Sequence, residues 1–113
     1  MIKIYHNPRC SKSRQGLALL ESSGKKILVI KYLETIPSFE ELSEIINILN
    51  IPPMQLIRKS EKIWKENYKG KELSDHEIIK AMIENPKLIE RPIVVNKNKA
   101  VIGRPLENIS TII

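Results

Sequence analysis

The only cysteine of the chain, Cys10, lies within residues 6–14, His-Asn-Pro-Arg-Cys-Ser-Lys-Ser-Arg, between a predicted strand and a predicted helix. A helix N-terminus carries unpaired backbone N–H groups and a partial positive charge, which stabilise a sulfur anion and an oxyanion bound beside it. With cationic neighbours, such a position can lower a cysteine pKa from about 8.5 to roughly 3.5–7.5. The segment therefore predicts a thiolate nucleophile together with an oxyanion site.

Arginines at the boundaries of predicted elements are the candidate anion ligands. They are Arg58, Arg91 and Arg104, and the last two each precede a proline, which restricts the backbone of the arginine. A guanidinium remains charged and offers a rigid fork of donors to a tetrahedral oxyanion. Arg14 and Lys12 can add to the same positive field. The formal net charge of +6 also favours anionic partners, from phosphate-like ions to nucleic acid.

Other side chains have two interpretations at this stage. His6 either makes an ordinary hydrogen bond in a turn or stabilises the thiolate of Cys10, and their spacing leaves both open. Trp64 and Tyr68 are expected to cover apolar surface rather than stack on a base. His76 is expected to be a solvated residue in a helical first turn.

The composition limits the class of protein. A chain of 113 residues, 42% of them hydrophobic, predicts a single domain spanning residues 1–113. No apolar run reaches the roughly 18 residues of a membrane span, and the N-terminus lacks a secretory pattern, so we expect a cytoplasmic protein. One cysteine cannot form an internal disulfide, and no metal-ligand spacing is present.

The periodicity predicts an α/β fold. A strand begins at Ile2, a helix ends near Gly24, and the apolar run 27–33 predicts a buried parallel strand, which completes a βαβ unit. Two capping-box patterns, which begin at Ser38 and Ser74, open helices in a helical insertion at about 38–85. Two short β runs, 93–95 and 100–102, then predict an antiparallel hairpin, and a helix is expected over 105–112.

Several separated motifs, in this order, resemble one family. They are residues 6–14, Arg58 within Leu-Ile-Arg-Lys, residues 90–95 (Glu-Arg-Pro-Ile-Val-Val) and residues 103–105 (Gly-Arg-Pro). The chain resembles the glutaredoxin-coupled arsenate reductases nearly end to end, and in particular their short homologues. The resemblance implies a thioredoxin-like fold with a helical insertion between the βαβ and ββα parts, and it implies that Pro92 follows a cis peptide bond.

The resemblance also implies roles for individual residues. Cys10 is expected to be the nucleophile that forms a covalent thioarsenate, and His6 is expected to help lower its pKa. The substrate-binding residues implied are Arg58, Arg91, Arg104, Ser13 and Arg14.

The chemistry requires an external reductant. Reduction of arsenate to arsenite takes two electrons, and a chain with one thiol cannot supply both by closing its own disulfide. The hypothesis is that glutathione, a co-substrate rather than a bound cofactor, attacks the Cys10 adduct. Glutaredoxin then resolves the mixed disulfide.

Three other functions are compatible with parts of the sequence. A regulator of the Spx type, which binds RNA polymerase, commonly carries a CxxC pattern, but Ser13 occupies the position of its second cysteine and Arg104 is retained. A cysteine phosphatase would need an arginine at position 16, which is Gly16 here. Nucleic-acid binding has least support, because aromatic residues make up 4% of the chain and the basic residues form no recognition motif.

Overall fold

The computed structural model describes residues 1–113 and divides them into two compact units. Residues 1–35 and 91–113 form the first, here called the sheet unit, and residues 36–90 form the second, the helical unit. The helical segment expected at 38–85 falls within the helical unit. The single domain over residues 1–113 stays a prediction.

The elements follow the expected order of strand-helix-strand, helices, then strand-strand-helix. The strands are β1 (Ile2–Tyr5), β2 (Ile27–Ile30), β3 (Ile93–Asn96) and β4 (Lys99–Ile102). The helices are α1 (Ser11–Ser22), α2 (Phe39–Leu49), α3 (Lys62–Asn67), α4 (Asp75–Glu84) and α5 (Glu107–Ser110), with 3-10 turns at Pro53–Leu56 and Pro86–Leu88. None of the helices combines the length and the apolar character that crossing a membrane requires.

The four strands form one mixed sheet in the order β2-β1-β3-β4. β1 and β2 are parallel, β3 is antiparallel to β1, and β4 is antiparallel to β3. The predicted α/β class, parallel βαβ unit and C-terminal hairpin are therefore confirmed. The closing helix is shorter than predicted, because only Glu107–Ser110 is helical.

The prediction that residues 27–33 form a buried strand was wrong in length and in burial. β2 ends at Ile30, and the backbone turns at Lys31, whose carbonyl accepts from the N–H of Thr35 at 2.8 Å. Because β2 is an edge strand, Leu28 and Val29 are 43% and 38% exposed. Parallel strands with continuous apolar runs are usually covered on both faces, and that generalisation fails at a sheet edge.

In the helical unit, α2 and α4 begin at the serine caps that the capping-box patterns predict. The Ser38 hydroxyl accepts from the Glu41 N–H at 3.0 Å, and Ser74 with Glu77 forms a complete capping box. Helix α3 was not predicted, because residues 60–72 are mostly polar; its Trp64 is nevertheless buried and stacks on Tyr68 at 5.5 Å between ring centroids. The buried apolar side chains of this unit include Leu42, Ile45, Leu56, Ile78, Met82, Leu88 and Ile89.

The sheet unit is closely packed around Pro92. Its core comprises Ile2, Ile4, Leu20, Val94 and Ile109. A Cβ placed on Gly16 in α1 would lie 3.0 Å from Cγ of Pro92, and one on Gly103, just after β4, would lie 2.9 Å from the same atom. Hydrogen is thus the only side chain that both positions accept without movement, and the two glycines allow α1 and the end of β4 to approach the loop before β3.

The close approach at Gly103 predicts a stability effect. A Cβ at this position would also lie 2.9 Å from Cδ1 of buried Ile109. We expect Gly103→Ala to lower the free energy of unfolding by about 1–3 kcal/mol through overpacking, measured by urea denaturation. Ile109→Val removes the contacting methyl, so the double variant should lose less than the sum of the single losses. Strictly additive losses would show that the contact with Ile109 is not the cause.

Candidate active site

Cys10 is the N-cap residue of α1, and its backbone is extended while the helix begins at Ser11. Its N–H donates to the Asn7 carbonyl at 3.0 Å, and its carbonyl accepts from the Arg14 N–H at 3.0 Å. These bonds close the loop that connects β1 to α1. The thiol is therefore held at the first turn of the helix, as the sequence predicted, and it is partly buried.

Donors surround the Cys10 sulfur and favour its ionised form. Burial is the largest single influence and opposes ionisation, but it is outweighed by the backbone N–H of Ser13, the charge of Arg91, the backbone N–H of Lys12 and a hydrogen bond from the Arg91 side chain. Together they hold the pKa of Cys10 below its usual value. The same groups would stabilise an oxyanion attached to the sulfur.

Arg104 is the second guanidinium at the thiol. Its Nη2 lies 3.5 Å from the Cys10 sulfur, and its Nε donates to the Arg91 carbonyl at 2.8 Å. The Arg104 side chain is therefore held in part by the backbone of Arg91. The peptide bond before Pro92 is cis, as the resemblance implied, and so is the bond between Arg104 and Pro105. The Gly103 N–H donates to the Pro92 carbonyl at 2.8 Å, which ties the two arginine-bearing segments together.

His6 contacts the site through Ser13. His6 Nδ1 lies 2.7 Å from the Ser13 hydroxyl, which also accepts from the Asn7 N–H at 2.9 Å, and both side chains are buried. Burial first, and then the charges of Lys31 and Arg14, hold the pKa of His6 below its usual value. The imidazole is therefore neutral at pH 7, and its Nδ1 can accept a hydrogen bond from the Ser13 hydroxyl. The expected influence of His6 on Cys10 stays a prediction, and the hydrogen bond through Ser13 is the route on which it would depend.

The remaining predicted ligands lie in two places. Arg14 donates from Nη1 to the Pro8 carbonyl at 2.9 Å, so it braces the loop that carries Cys10. Arg58 belongs to the helical unit, where its N–H donates to the Leu88 carbonyl at 2.7 Å and its Nη2 lies 3.7 Å from a carboxylate oxygen of Glu61. Oxyanion binding by Arg58, Arg14 and Ser13 stays a prediction.

The sequence reasoning missed three contributions to the site. The backbone N–H of Lys12 acts on the thiol. Asn7 accepts from Cys10 through its carbonyl, and its side-chain oxygen accepts from the Arg9 N–H at 3.0 Å. Gly103 was noted only as part of a motif, although its position directly before Arg104 and Pro105 was a signal of a close backbone approach.

The positive charge of the chain lies in the unit that carries this site. The sheet unit contains 11 basic and 3 acidic side chains, whereas the helical unit contains 8 basic and 10 acidic ones. No group of three His, Cys, Asp or Glu side chains is placed to hold a metal ion. The arrangement can bind a tetrahedral oxyanion beside a thiolate and stabilise negative charge that develops on it.

The lowered pKa of Cys10 predicts the pH dependence of its alkylation by iodoacetamide. Only the thiolate reacts, so the rate should rise as the pH passes through the lowered pKa, with a midpoint below that of an ordinary cysteine. Arg91→Ala removes a positive charge that lowers the pKa, so its midpoint should move to higher pH. Arg9→Ala, which removes an exposed charge from the same loop, serves as the control. Equal midpoints in the wild type and Arg91→Ala would contradict this assignment.

Comparisons with known proteins place this geometry in a family. The structure of the arsenate reductase from Vibrio cholerae superposes with a TM-score of 0.95 at 49% identity, covering 99% of this chain and 97% of that one. The arsenate reductase of Neisseria meningitidis serogroup A is 43% identical over 99% of this chain and 97% of its own length. A relative from Escherichia coli K12, the uncharacterized protein YfgD, is 46% identical over 99% of this chain and 96% of its own.

The family model described as the ArsC family matches residues 5–112. That range includes Cys10, both arginines at the thiol, and every helix of the structure. The relatives named above are matched over nearly their whole lengths. By these matches the chain belongs to the ArsC family.

Proposed function

We propose that this protein reduces arsenate to arsenite through a covalent intermediate on Cys10, with glutathione and glutaredoxin as the electron donors. The observation that carries the proposal is the set of groups at one sulfur: two backbone N–H groups and the guanidinium groups of Arg91 and Arg104. Relatives named arsenate reductase, 43% identical or more, support the same substrate. The mixed sheet, flanked by α1 and with Pro92 and its cis bond directly before β3, fits the thioredoxin-like fold that the resemblance implied.

The first step of the proposed reaction is nucleophilic. The Cys10 thiolate attacks As(V), a sulfur–arsenic bond forms, and one arsenate oxygen leaves as water after protonation. Arg91 and Arg104 bind the remaining oxygens and neutralise their charge. The dihydrogen arsenate ion and monohydrogen arsenate ion both carry oxygens that a guanidinium fork can hold, and Arg58 is proposed as a third ligand.

The second step transfers the electrons. A glutathione thiolate attacks the Cys10 sulfur, a disulfide bond forms, and the sulfur–arsenic bond breaks with its electron pair remaining on arsenic. Arsenic is thereby reduced to As(III) and leaves as arsenite, while the two sulfurs are oxidised to a mixed disulfide. Glutaredoxin then releases Cys10 by thiol–disulfide exchange. No metal or nucleic acid takes part, and the site of action proposed is the cytoplasm.

The proposal predicts arsenate-dependent consumption of NADPH in a coupled assay. Purified protein is mixed with arsenate, glutathione, glutaredoxin and glutathione reductase, and absorbance reports NADPH. Cys10→Ser should remove turnover, because the hydroxyl is a far weaker nucleophile, while circular dichroism shows an unchanged fold. Turnover that persists in Cys10→Ser would contradict the covalent mechanism, and no turnover in the wild type would contradict the substrate.

Loss of either arginine at the thiol should weaken the handling of arsenate. A charge-assisted hydrogen bond contributes about 1.5–3 kcal/mol, so Arg91→Ala and Arg104→Ala are each expected to lower kcat/KM for arsenate by roughly ten- to a hundredfold. Lys99→Ala removes an exposed charge on β4 and is the matched control. Kinetics equal to those of Lys99→Ala in both arginine variants would mean that the arginines do not bind the oxyanion.

A further inference from the structure

A cavity of about 270 Å³ lies beside the loop that precedes Cys10. It is lined by residues 6–9 of that loop and by Lys31, Leu33 and Glu34. All of these residues belong to the sheet unit. We call this cavity the loop groove. Its volume is near the lower end of the range of small-molecule sites, roughly 300–1,000 Å³.

The two walls of the loop groove follow neighbouring parallel strands. Tyr5 at the end of β1 pairs with Ile30 at the end of β2, and the His6 N–H donates to the Ile30 carbonyl at 2.8 Å. Both walls therefore begin where these strands end. In α/β sheets, the crevice outside the carboxyl ends of the strands is the usual place for a ligand.

Three charged side chains line the loop groove and have no partner within the protein. Arg9, Lys31 and Glu34 are exposed, and none takes part in an ion pair or a side-chain hydrogen bond. The groove thus presents two cations and one carboxylate, with apolar surface from Leu33. A ligand with two carboxylates, one ammonium group and a short aliphatic stem would complement this set.

We propose that the loop groove binds glutathione, the thiol co-substrate, with its carboxylates at Arg9 and Lys31 and its ammonium group near Glu34. This inference rests on the proposed function, because it assigns a binding site to the donor of that reaction. Glutathione has the required charges in one molecule. An inorganic anion would match the two cations but would be repelled by the carboxylate of Glu34.

The position of the loop groove suits attack on Cys10. Arg9 and Cys10 are consecutive, so their Cα atoms are about 3.8 Å apart, and an extended tripeptide spans roughly 10 Å. A tripeptide anchored in the groove can therefore bring its thiol to the Cys10 sulfur. The anchoring contacts also lie apart from Arg91 and Arg104, which remain available to the arsenic oxygens.

Binding is tested without turnover by NMR. Cys10→Ser protein, which cannot form a mixed disulfide, is labelled with ¹⁵N and titrated with S-methylglutathione. We expect the largest amide shifts at residues 6–9 and 31–34. Lys31→Glu in the same background should raise the Kd severalfold to about tenfold, whereas Lys25→Glu, an exposed lysine before β2, should leave it unchanged. Shifts elsewhere, or equal weakening in both variants, would overturn the proposal.

A second titration distinguishes glutathione from a simple anion. Inorganic phosphate should shift the amides of residues 10–13 and leave residues 31–34 unmoved. Glu34→Gln should weaken binding of S-methylglutathione, because the partner of the ammonium group loses its charge. Phosphate binding in the groove with an affinity equal to that of S-methylglutathione would show that the groove is a general anion site, and it would overturn the proposal.

Steady-state kinetics separate this inference from the proposed function. In the coupled assay, Glu34→Gln should raise the KM for glutathione severalfold and leave the KM for arsenate unchanged, with Lys25→Glu as the control. An unchanged KM for glutathione in an active enzyme would overturn the groove assignment alone. Failure of arsenate turnover in the wild type would instead overturn the proposed function, and the NMR titration would still decide whether the groove binds glutathione.

Discussion

The arrangement of the loop, α1 and the arginines in the sheet unit is governed by one requirement, the stabilisation of a partly buried thiolate at Cys10. Burial of Cys10 opposes ionisation more strongly than any single neighbour favours it, so several donors must act together. Two of them are backbone N–H groups at the start of α1, and they are available because a helix leaves its first N–H groups unpaired. The arginine at position 91 adds a charge and a hydrogen bond, which the backbone alone cannot provide.

Packing and electrostatics at this site are linked by Pro92. Its ring approaches both Gly16 and Gly103, so the loop before β3 can lie against α1 and against the end of β4. Arg91 precedes Pro92, and Arg104 follows Gly103. A side chain at either glycine would therefore disturb the two guanidinium groups as well as the core. The hydrogen bond from Arg104 to the Arg91 carbonyl then holds the Arg104 guanidinium beside the segment that carries Arg91.

The sequence predicted the features that depend on local patterns. The Ser74 capping box, the hairpin of β3 and β4, and the position of Cys10 before α1 follow from short-range rules and were confirmed. The exposure of β2 was not predictable, because an apolar run does not reveal whether its strand lies at an edge or in the centre. The short α3 was missed because its burial depends on one aromatic side chain, Trp64, within a polar segment.

Within the site, the sequence predicted residue types better than geometry. Arginine next to proline indicated which cations are held at element boundaries, and Arg91 and Arg104 do meet at the thiol. That His6 would bond to Ser13 could not be inferred, since a spacing of seven residues across a loop permits many contacts. The donors from the backbone of Lys12 and Ser13 are independent of side-chain identity, so no residue pattern identifies them.

The sheet is assembled from segments far apart in the chain, so it cannot be completed until its last strands have been synthesised. Lys3 in β1 pairs with Val95 in β3, and 94 positions separate Cys10 from Arg104. Contacts of such long range form late, because loop closure must precede them. On the ribosome, Cys10 is made long before the arginines that act on it. Until β3 and β4 join the sheet, the thiol lacks both guanidinium groups, so the cysteine of a nascent chain should keep an ordinary pKa, which folding later lowers.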